Sequence, residues 1–332
     1  MSIKVAINGF GRIGRLTLRA ITERIDEPFE IVALNDLANI DSILHLLKYD
    51  SVHNEFTGSL EKLNDSLIIN NKKIKIFSVS DPAKIPWGVY DIDVVIESTG
   101  IFTDKIDASK HIQAGAKKVL ISAPSSTADI TVVYGVNHDK IQGQHKVISN
   151  GSCTTNCLAP LIKILNDSIG IETGYMTTVH SVTGDQNTID TFHKDFRRSR
   201  NSFLSMIPTS TGAARAVGKV LPEMIGKLDG SAIRVPTANV SLIDFCFTSV
   251  SKTSVEEINA KFNEMAQKNF KGIVNVETAP LVSCDFNHNQ HSATVDTLET
   301  KVINDKFCRI LAWYDNEWGF SNRLLDVTKC LF

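Results

Sequence analysis

The sequence predicts an α/β protein with a doubly wound N-terminal domain followed by an α+β domain, and three observations carry the prediction. First, the opening 36 residues read strand, helix, strand, with apolar runs at 3–7 and 31–34 around an amphipathic stretch at 12–24. Second, β-branched runs recur at 93–97, 118–122, 131–133 and 146–148, the first two separated by a helix-like segment at 105–114, as in a parallel sheet covered by helices. Third, the grammar changes after Cys153. A helix over 154–167 leads to strands near 175–180, 232–235, 240–250, 273–276 and 308–314, with helical stretches at 212–221 and 255–269.

Each smaller element follows from local pattern. Two β-rich arms at 66–77 flank Asn70 and Asn71, which is hairpin grammar and reads as an edge decoration of the wound sheet. The polar segment 181–205 holds Arg197, Arg198 and Arg200 without sustained periodicity, so it reads as a long ordered loop, of the kind used for function or at interfaces. The expected division is 1–151 for the first domain and 152–318 for the second, with 319–332 forming a helix that returns to the first.

Whole-chain properties bound the function. At 332 residues the chain exceeds what one hydrophobic core usually serves, which supports two domains. A net charge of -2 gives no electrostatic reason to expect nucleic acid or an anionic membrane as the main partner, so any phosphate site must be local. The start of the chain runs directly into a strand without the apolar region of a signal peptide, and no window approaches the roughly 18–20 apolar residues of a membrane span; a cytoplasmic protein is expected. Six scattered cysteines in so long a chain read as reduced thiols.

Gly9, Gly11 and Gly14 form a complete G-x-G-x-x-G at the junction of the first strand and helix. Gly9 permits a tight turn, Gly11 admits a pyrophosphate close to the backbone, and Gly14 lets helix and strand approach, while the helix start favours the anion. Asp36 ends the second strand, where a carboxylate accepts hydrogen bonds from ribose hydroxyls and repels a 2′-phosphate. The combination predicts a Rossmann site that prefers NAD over NADP. Taken alone, Asp36 also reads as a turn or capping residue.

Cys153 lies at a strand-to-helix junction, where unpaired N–H groups and the helix dipole stabilise a thiolate. Free cysteines are also common as inert core residues, and the local sequence leaves both readings open. Cys157, one turn on, reads as packing, and a metal reading of the pair lacks further ligands, so no metal is expected. His180 ends a strand and can serve as base to such a thiol, in an ion pair or as a base-assisted nucleophile, with His53 and His193 as competitors.

Over essentially its full length the chain resembles the glyceraldehyde-3-phosphate dehydrogenase family, through NGFGRIGR, LLKYDSVH, ESTGIFT, ISAPS, SCTTNCLAP, TTVHS, TSTGAA, RVPTANVS and WYDNEWGFSNR in the family's order. The resemblance implies phosphorylating oxidation of D-glyceraldehyde 3-phosphate to 1,3-bisphosphoglycerate, in glycolysis or gluconeogenesis. Cys153 would be the nucleophile that carries a thiohemiacetal and then a thioester, and His180 its acid/base partner. It further implies Thr183, Arg198 and Arg234 for the substrate phosphate, and Ser152, Thr154, Thr211 and Gly212 for the attacking phosphate. For the cofactor it adds Arg12 and Ile13 through their backbone, Ser122, and Asn316, whose amide would hold the nicotinamide carboxamide. The family is typically a homotetramer in which the 181–205 loop helps line a neighbour's cofactor site.

The match departs in places. Thr191-Phe192 stand where NAD-specific relatives carry Leu-Pro, a pair that helps exclude the 2′-phosphate, so dual NAD/NADP use stays open; Ser80 stands near a frequent basic residue, and Gly151 replaces a common alanine. The nearest enzymatic alternative is an erythrose-4-phosphate dehydrogenase, which hydrolyses its thioester; TSTGAA favours an attacking-phosphate site instead. A non-catalytic alternative is a nicotinamide-binding redox sensor or RNA-binding protein, against which the intact Cys153, His180 and arginine positions and the near-neutral charge both argue.

Overall fold

The computed structural model describes residues 2–332, which divide into two compact units. The first comprises the described residues up to Val132 together with His138–Ser152 and Ser321–Phe332; the second comprises Val133–Asn137 and Cys153–Phe320.

The first unit is built on β1 (Ile3–Asn8), α1 (Arg12–Glu23), β2 (Phe29–Asn35), α2 (Ile40–Lys48), β3 (Leu60–Leu63), β4 (Ser66–Ile69), β5 (Lys72–Phe77), β6 (Val94–Glu97), the short helices α3 (Lys105–Ala108) and α4 (Lys110–Gln113), β7 (Lys118–Ile121), β8 (Ile130–Thr131) and β9 (Val147–Ser149). Its sheet runs β3-β4-β5-β2-β1-β6-β7-β9-β8, parallel throughout except for the β3–β4 and β4–β5 pairs. The chain winds outward from β1 to β2 on one side and then to β6 on the other. The carboxyl end of β1 is therefore a topological switch point, the place where such sheets hold ligands.

Two expectations need correction here. The 105–114 segment is two short helices broken at Ser109, the first capped by Asp104, whose side chain accepts from Asp107 N. The hairpin does turn through Asn70 and Asn71, both left-handed with φ of 48° and 64°, yet it is more than decoration. Its second arm, β5, pairs parallel to β2 and so extends the wound sheet.

The second unit contains α5 (Cys153–Ser168), β10 (Ile171–His180), β11 (Ile207–Ser210), α6 (Ala213–Val220), β12 (Leu228–Arg234), β13 (Ser241–Ser249), α7 (Val255–Gln267), β14 (Val274–Glu277), β15 (Ala293–Ile303), β16 (Phe307–Tyr314) and the start of α8 (Trp318–Lys329), which continues into the first unit. Its mixed sheet runs β11-β12-β10-β13-β16-β15-β14. Leu158, Leu161 and Ile162 of α5, Val217 of α6 and Phe262 of α7 pack with Phe245, Phe247 and Ile310 of the sheet in one core. Strands β11 and β15 have no counterpart in the sequence reading. Thr294, Asp296, Thr297, Glu299, Thr300 and Lys301 interrupt any apolar alternation along β15, and pairing to β14 and β16 overrides that weak local signal.

In the first unit, Arg19 of α1 shows how packing serves the ligand end of the sheet. Its buried guanidinium donates to the carbonyls of Leu47 at 2.6 Å and Asn54 at 3.0 Å, with Lys48 and His53 at 3.3 Å, and so pins the segment that follows α2. That segment carries Asp50, which pairs with Arg12 at the start of α1, 2.5 Å away. Replacing Arg19 by methionine keeps the apolar stem but leaves these carbonyls without their donor. Arg19→Met is expected to destabilise the protein by about 2–4 kcal/mol, read as a lower urea midpoint by circular dichroism; an unchanged midpoint would contradict this.

Candidate active site

Around the switch point of the first unit, the glycines do what the turn demands. Gly9 has φ of +87°, and a Cβ there would lie 2.6 Å from Thr99 N, so both conformation and space require glycine. A Cβ on Gly14 would lie 2.2 Å from Gly9 O, which is the close approach of α1 to the turn after β1. Gly11 is the N-cap of α1 and supplies no capping side chain, so the first N–H groups of the helix stay available to an anion. Arg12 and Ile13, both half-buried, open that helix.

Asp36 follows β2 and ties the turn to it. One carboxylate oxygen accepts from Phe10 N at 2.7 Å and the other from Ala38 N at 2.8 Å. Gly9, Gly11, Asp36, Ser80, Thr99 and Phe102 are among the residues lining a cavity of about 320 Å³. Ser122 is not among its lining residues; its backbone N–H bonds to the carbonyl of Glu97 beside it. Burial opposes ionisation of Asp50, but the His53 N–H, the Arg12 guanidinium and the Val52 N–H outweigh it and hold its carboxyl down at about 2. Glycine turn, uncapped helix start and Asp36 together fit a dinucleotide.

The chain enters the second unit through Gly151, which sits at φ of +64°. That left-handed position is a physical reason for glycine where a Cβ would be strained. Ser152 then precedes α5, and Cys153 is its first residue. Register supplies the partners. Strands β10 and β12 run parallel with His180 opposite Arg234, so their last side chains lie next to each other. His180 Nε2 lies 3.5 Å from Cys153 Sγ, and Arg234 Nη1 lies 2.5 Å from His180 Nδ1.

Burial pushes the Cys153 thiol up, and the Arg234 charge, the Thr154 hydroxyl and the backbone N–H groups at the helix start pull it back without reversing that rise. Burial, and then the Arg234 charge, push His180 down to about 3. Burial thus favours the neutral form of both groups, while the helix start and the Arg234 charge work for the thiolate. Two contacts ask opposite things of His180 Nδ1. The Ser181 carbonyl, 2.7 Å away, can only accept and so calls for a proton on Nδ1, leaving Nε2 as the base facing Cys153. Arg234 can only donate and calls for a lone pair there.

Thr154 and Arg234 are thus brought to the Cys153–His180 pair, whereas Thr183, Arg198 and Thr211 belong to separate hydrogen-bond sets. Thr154 Oγ1 lies 4.0 Å from Cys153 Sγ and 2.9 Å from the Tyr314 hydroxyl. Arg198 Nε donates to Thr209 at 3.0 Å and its fork pairs with Asp185, though both Arg198 and Asp185 act on the charge of Arg234. Thr183 donates from N and Oγ1 to Gln186 Oε1 at 2.8 and 3.1 Å. Thr211 accepts from Ala213 N at 3.2 Å and, with Gly212, forms the N-terminal turn of α6. Cys157 is fully buried in the core.

Several supporting residues escaped the sequence reading. Tyr314 bonds both Thr154 and, at 3.0 Å, Thr178, and its ring meets that of His180 edge-on. Ser181 and Ser241 donate to Asn316 Oδ1 at 2.9 and 2.8 Å, which orients the amide. Asp315 accepts from Glu317 N and Trp318 N and caps the start of α8. Tyr314 and Asp315 stand in the same WYDNEWG string as Asn316, which was the available signal.

Residues 3–105 match the glyceraldehyde 3-phosphate dehydrogenase NAD binding domain, and residues 152–316 match the C-terminal domain of the same enzymes. The chain is 54% identical to a glyceraldehyde-3-phosphate dehydrogenase of Xanthobacter flavus, over all of this chain and 99% of that protein. It belongs to the glyceraldehyde-3-phosphate dehydrogenase family. Relatives of the same name from Cereibacter sphaeroides, 52% identical over 100% of this chain and 99% of theirs, and from Bacillus subtilis, 50% identical over 98% and 97%, agree. NAD is the cofactor of this family's N-terminal domain, and the glycine turn and Asp36 are the parts of the first unit suited to it.

Because the Arg234 charge lowers the thiol, removing it should raise the thiol further and leave less thiolate. Arg234→Gln is expected to slow alkylation of Cys153 by iodoacetamide at pH 8 by roughly three- to tenfold, followed on the Cys153 peptide by mass spectrometry. Faster alkylation in the variant would contradict the assigned sign.

Proposed function

We propose that this chain is a phosphorylating, NAD-dependent glyceraldehyde-3-phosphate dehydrogenase, converting D-glyceraldehyde 3-phosphate and inorganic phosphate to 1,3-bisphosphoglycerate. The observation that carries the reading is the Cys153 Sγ to His180 Nε2 contact at the start of α5, in a chain of this family. Cys153 adds to the aldehyde carbon as Nε2 takes the thiol proton and hands it to the former carbonyl oxygen, giving a thiohemiacetal, and the neutral imidazole so regenerated then withdraws the hydroxyl proton of that adduct. The Gly9–Gly14 turn, Asp36, the Arg12 and Ile13 backbone and Ser122 would hold NAD, with Asn316 assigned to its carboxamide, and the bound cofactor would supply the hydride acceptor for oxidation of the adduct to a thioester. Inorganic phosphate attacks the thioester carbon, the Cys153 sulfur leaves, and the acyl phosphate departs.

Arg234 supports the substrate-phosphate role because it also touches His180. An anion that draws the guanidinium to itself leaves the Ser181 carbonyl as the partner of Nδ1, and so favours the tautomer in which Nε2 is the base. Thr183 and Arg198 complete that site in this reading, with Arg198 exchanging Asp185 for phosphate. Ser152, Thr154, Thr211 and Gly212 receive the attacking phosphate, and Tyr314 fixes the Thr154 hydroxyl for it.

We also assign a homotetrameric assembly and a cytoplasmic setting. The 181–205 loop and its end expose Ile189, Phe192, Phe196, Leu204 and Met206, with Phe192 wholly in solvent, and a second copy of the chain is the partner suited to cover so apolar a surface. Among the described residues no helix is long and apolar enough to cross a membrane, and the six cysteines are unpaired, as in a reducing compartment.

Initial rates with glyceraldehyde 3-phosphate and erythrose 4-phosphate, each with NAD or NADP and with or without phosphate, test the reading. Phosphate-dependent reduction of NAD with glyceraldehyde 3-phosphate is expected; equal acid production without phosphate would favour the hydrolytic alternative. His180→Asn should lower kcat by about 10²–10⁴-fold, and Cys153→Ser should abolish turnover while NAD still binds. Retained turnover in Cys153→Ser would overturn the mechanism.

A further inference from the structure

Directly behind the cofactor cleft, the first unit buries a carboxylate whose hydrogen bonds reach the ends of three strands. Glu97, the last residue of β6, is 1% exposed. Its Oε1 accepts from Thr99 N at 2.8 Å and from Thr99 Oγ1 at 2.5 Å; its Oε2 accepts from Asn8 Nδ2 at 2.6 Å and meets His111 Nε2 at 3.0 Å. Asn8, the last residue of β1, in turn accepts from Asn35 Nδ2 at 2.8 Å, and Asn35 ends β2. Asn8, Asn35 and Thr99 all line the cleft.

His111 is the hinge of this relay, and its tautomer is set by a neighbour that has no choice. Trp87 Nε1 lies 2.9 Å from His111 Nδ1, and an indole N–H can only donate. Nδ1 is therefore the acceptor, and the N–H on Nε2 points at Glu97. Both rings are fully buried, so no water replaces either bond cheaply. At the other end of the relay, Thr99 N is the atom that a Cβ on Gly9 would strike at 2.6 Å. A shift in Thr99 is thus felt by the glycine turn itself.

We infer that His111 is a positioning residue for dinucleotide binding: oriented by Trp87, it holds Glu97 in the one rotamer that sets Thr99 and Asn8 against the Gly9 turn. The inference rests on reading this cleft as the NAD site. It makes cofactor affinity depend on a ring that does not line the cleft. The cysteine chemistry, whose groups lie in the other unit, does not depend on it.

Three variants test it: His111→Phe, which keeps a planar ring and loses both nitrogens; His111→Gln, whose amide can still accept from Trp87 and donate to Glu97; and Trp87→Phe, which removes only the donor that sets the tautomer. NAD affinity by calorimetry and KM for NAD against kcat are measured on the full chain, with the alkylation rate of Cys153 as control. His111→Phe is expected to weaken NAD binding by roughly tenfold or more, with kcat at saturating NAD and Cys153 alkylation kept, Trp87→Phe to weaken it by a smaller factor, and His111→Gln to restore most of it. Wild-type affinity in His111→Phe, or equal loss of NAD binding and Cys153 alkylation, would overturn the inference. Should His111→Phe not fold, Trp87→Phe decides, and an unchanged NAD affinity there overturns it. A wild-type chain that binds no NAD would instead sink the reading of the cleft and is told apart by that result alone.

Discussion

The chemistry of the second unit hangs on one register, the parallel pairing of β10 with β12 that sets His180 opposite Arg234. Side chains alternate faces along a strand, so a slip of one residue would turn the imidazole away from Cys153 and the guanidinium away from the imidazole. The register is secured on the far side of β10 by its long antiparallel pairing with β13, and beyond that by β16, which brings Tyr314 within reach of Thr154 and Thr178. Helix α5 is buried along most of its length, and it delivers Cys153 at its first turn to the end of β10.

That burial sets the character of the reactive pair. A thiol and an imidazole removed from water both favour their neutral forms, and Arg234 acts on them with opposite effect in energetic terms, easing thiolate formation while penalising the imidazolium. Arg234 is therefore the one charge that works for the thiolate against burial. The first unit follows a different design. There the ligand end is shaped by glycines that leave no room for a side chain, and by buried hydrogen bonds joining the ends of β1, β2 and β6.

Much of this was legible from local sequence because the signals are themselves local. A glycine turn between strand and helix, an acid closing the second strand and a cysteine at a helix start each declare themselves within a few residues. The adjacency of His180 and Arg234 does not, because it is made by strand pairing across 54 positions of sequence. Tyr314 is marked only by its place in the WYDNEWG string: its hydroxyl matters only once β16 and α5 are in place. Strand β15 hid behind its polar residues, and the upward pull on the Cys153 thiol could not be read from a helix start because burial is a property of the whole fold. Gly151 runs the other way. It stands where the family commonly has alanine, and its left-handed φ is one that glycine adopts without strain.

The central claim is that Cys153 carries the substrate as an acyl thioester that phosphate alone discharges efficiently. Mixing the enzyme with NAD and glyceraldehyde 3-phosphate in the absence of phosphate, quenching in acid and weighing the Cys153 peptide by mass spectrometry tests it most directly. The account predicts a burst of reduced cofactor stoichiometric with the chain, an acyl mass increment on Cys153, and its loss when phosphate is added before the quench. Continued turnover without phosphate, or an unmodified Cys153 after a full burst, would contradict it.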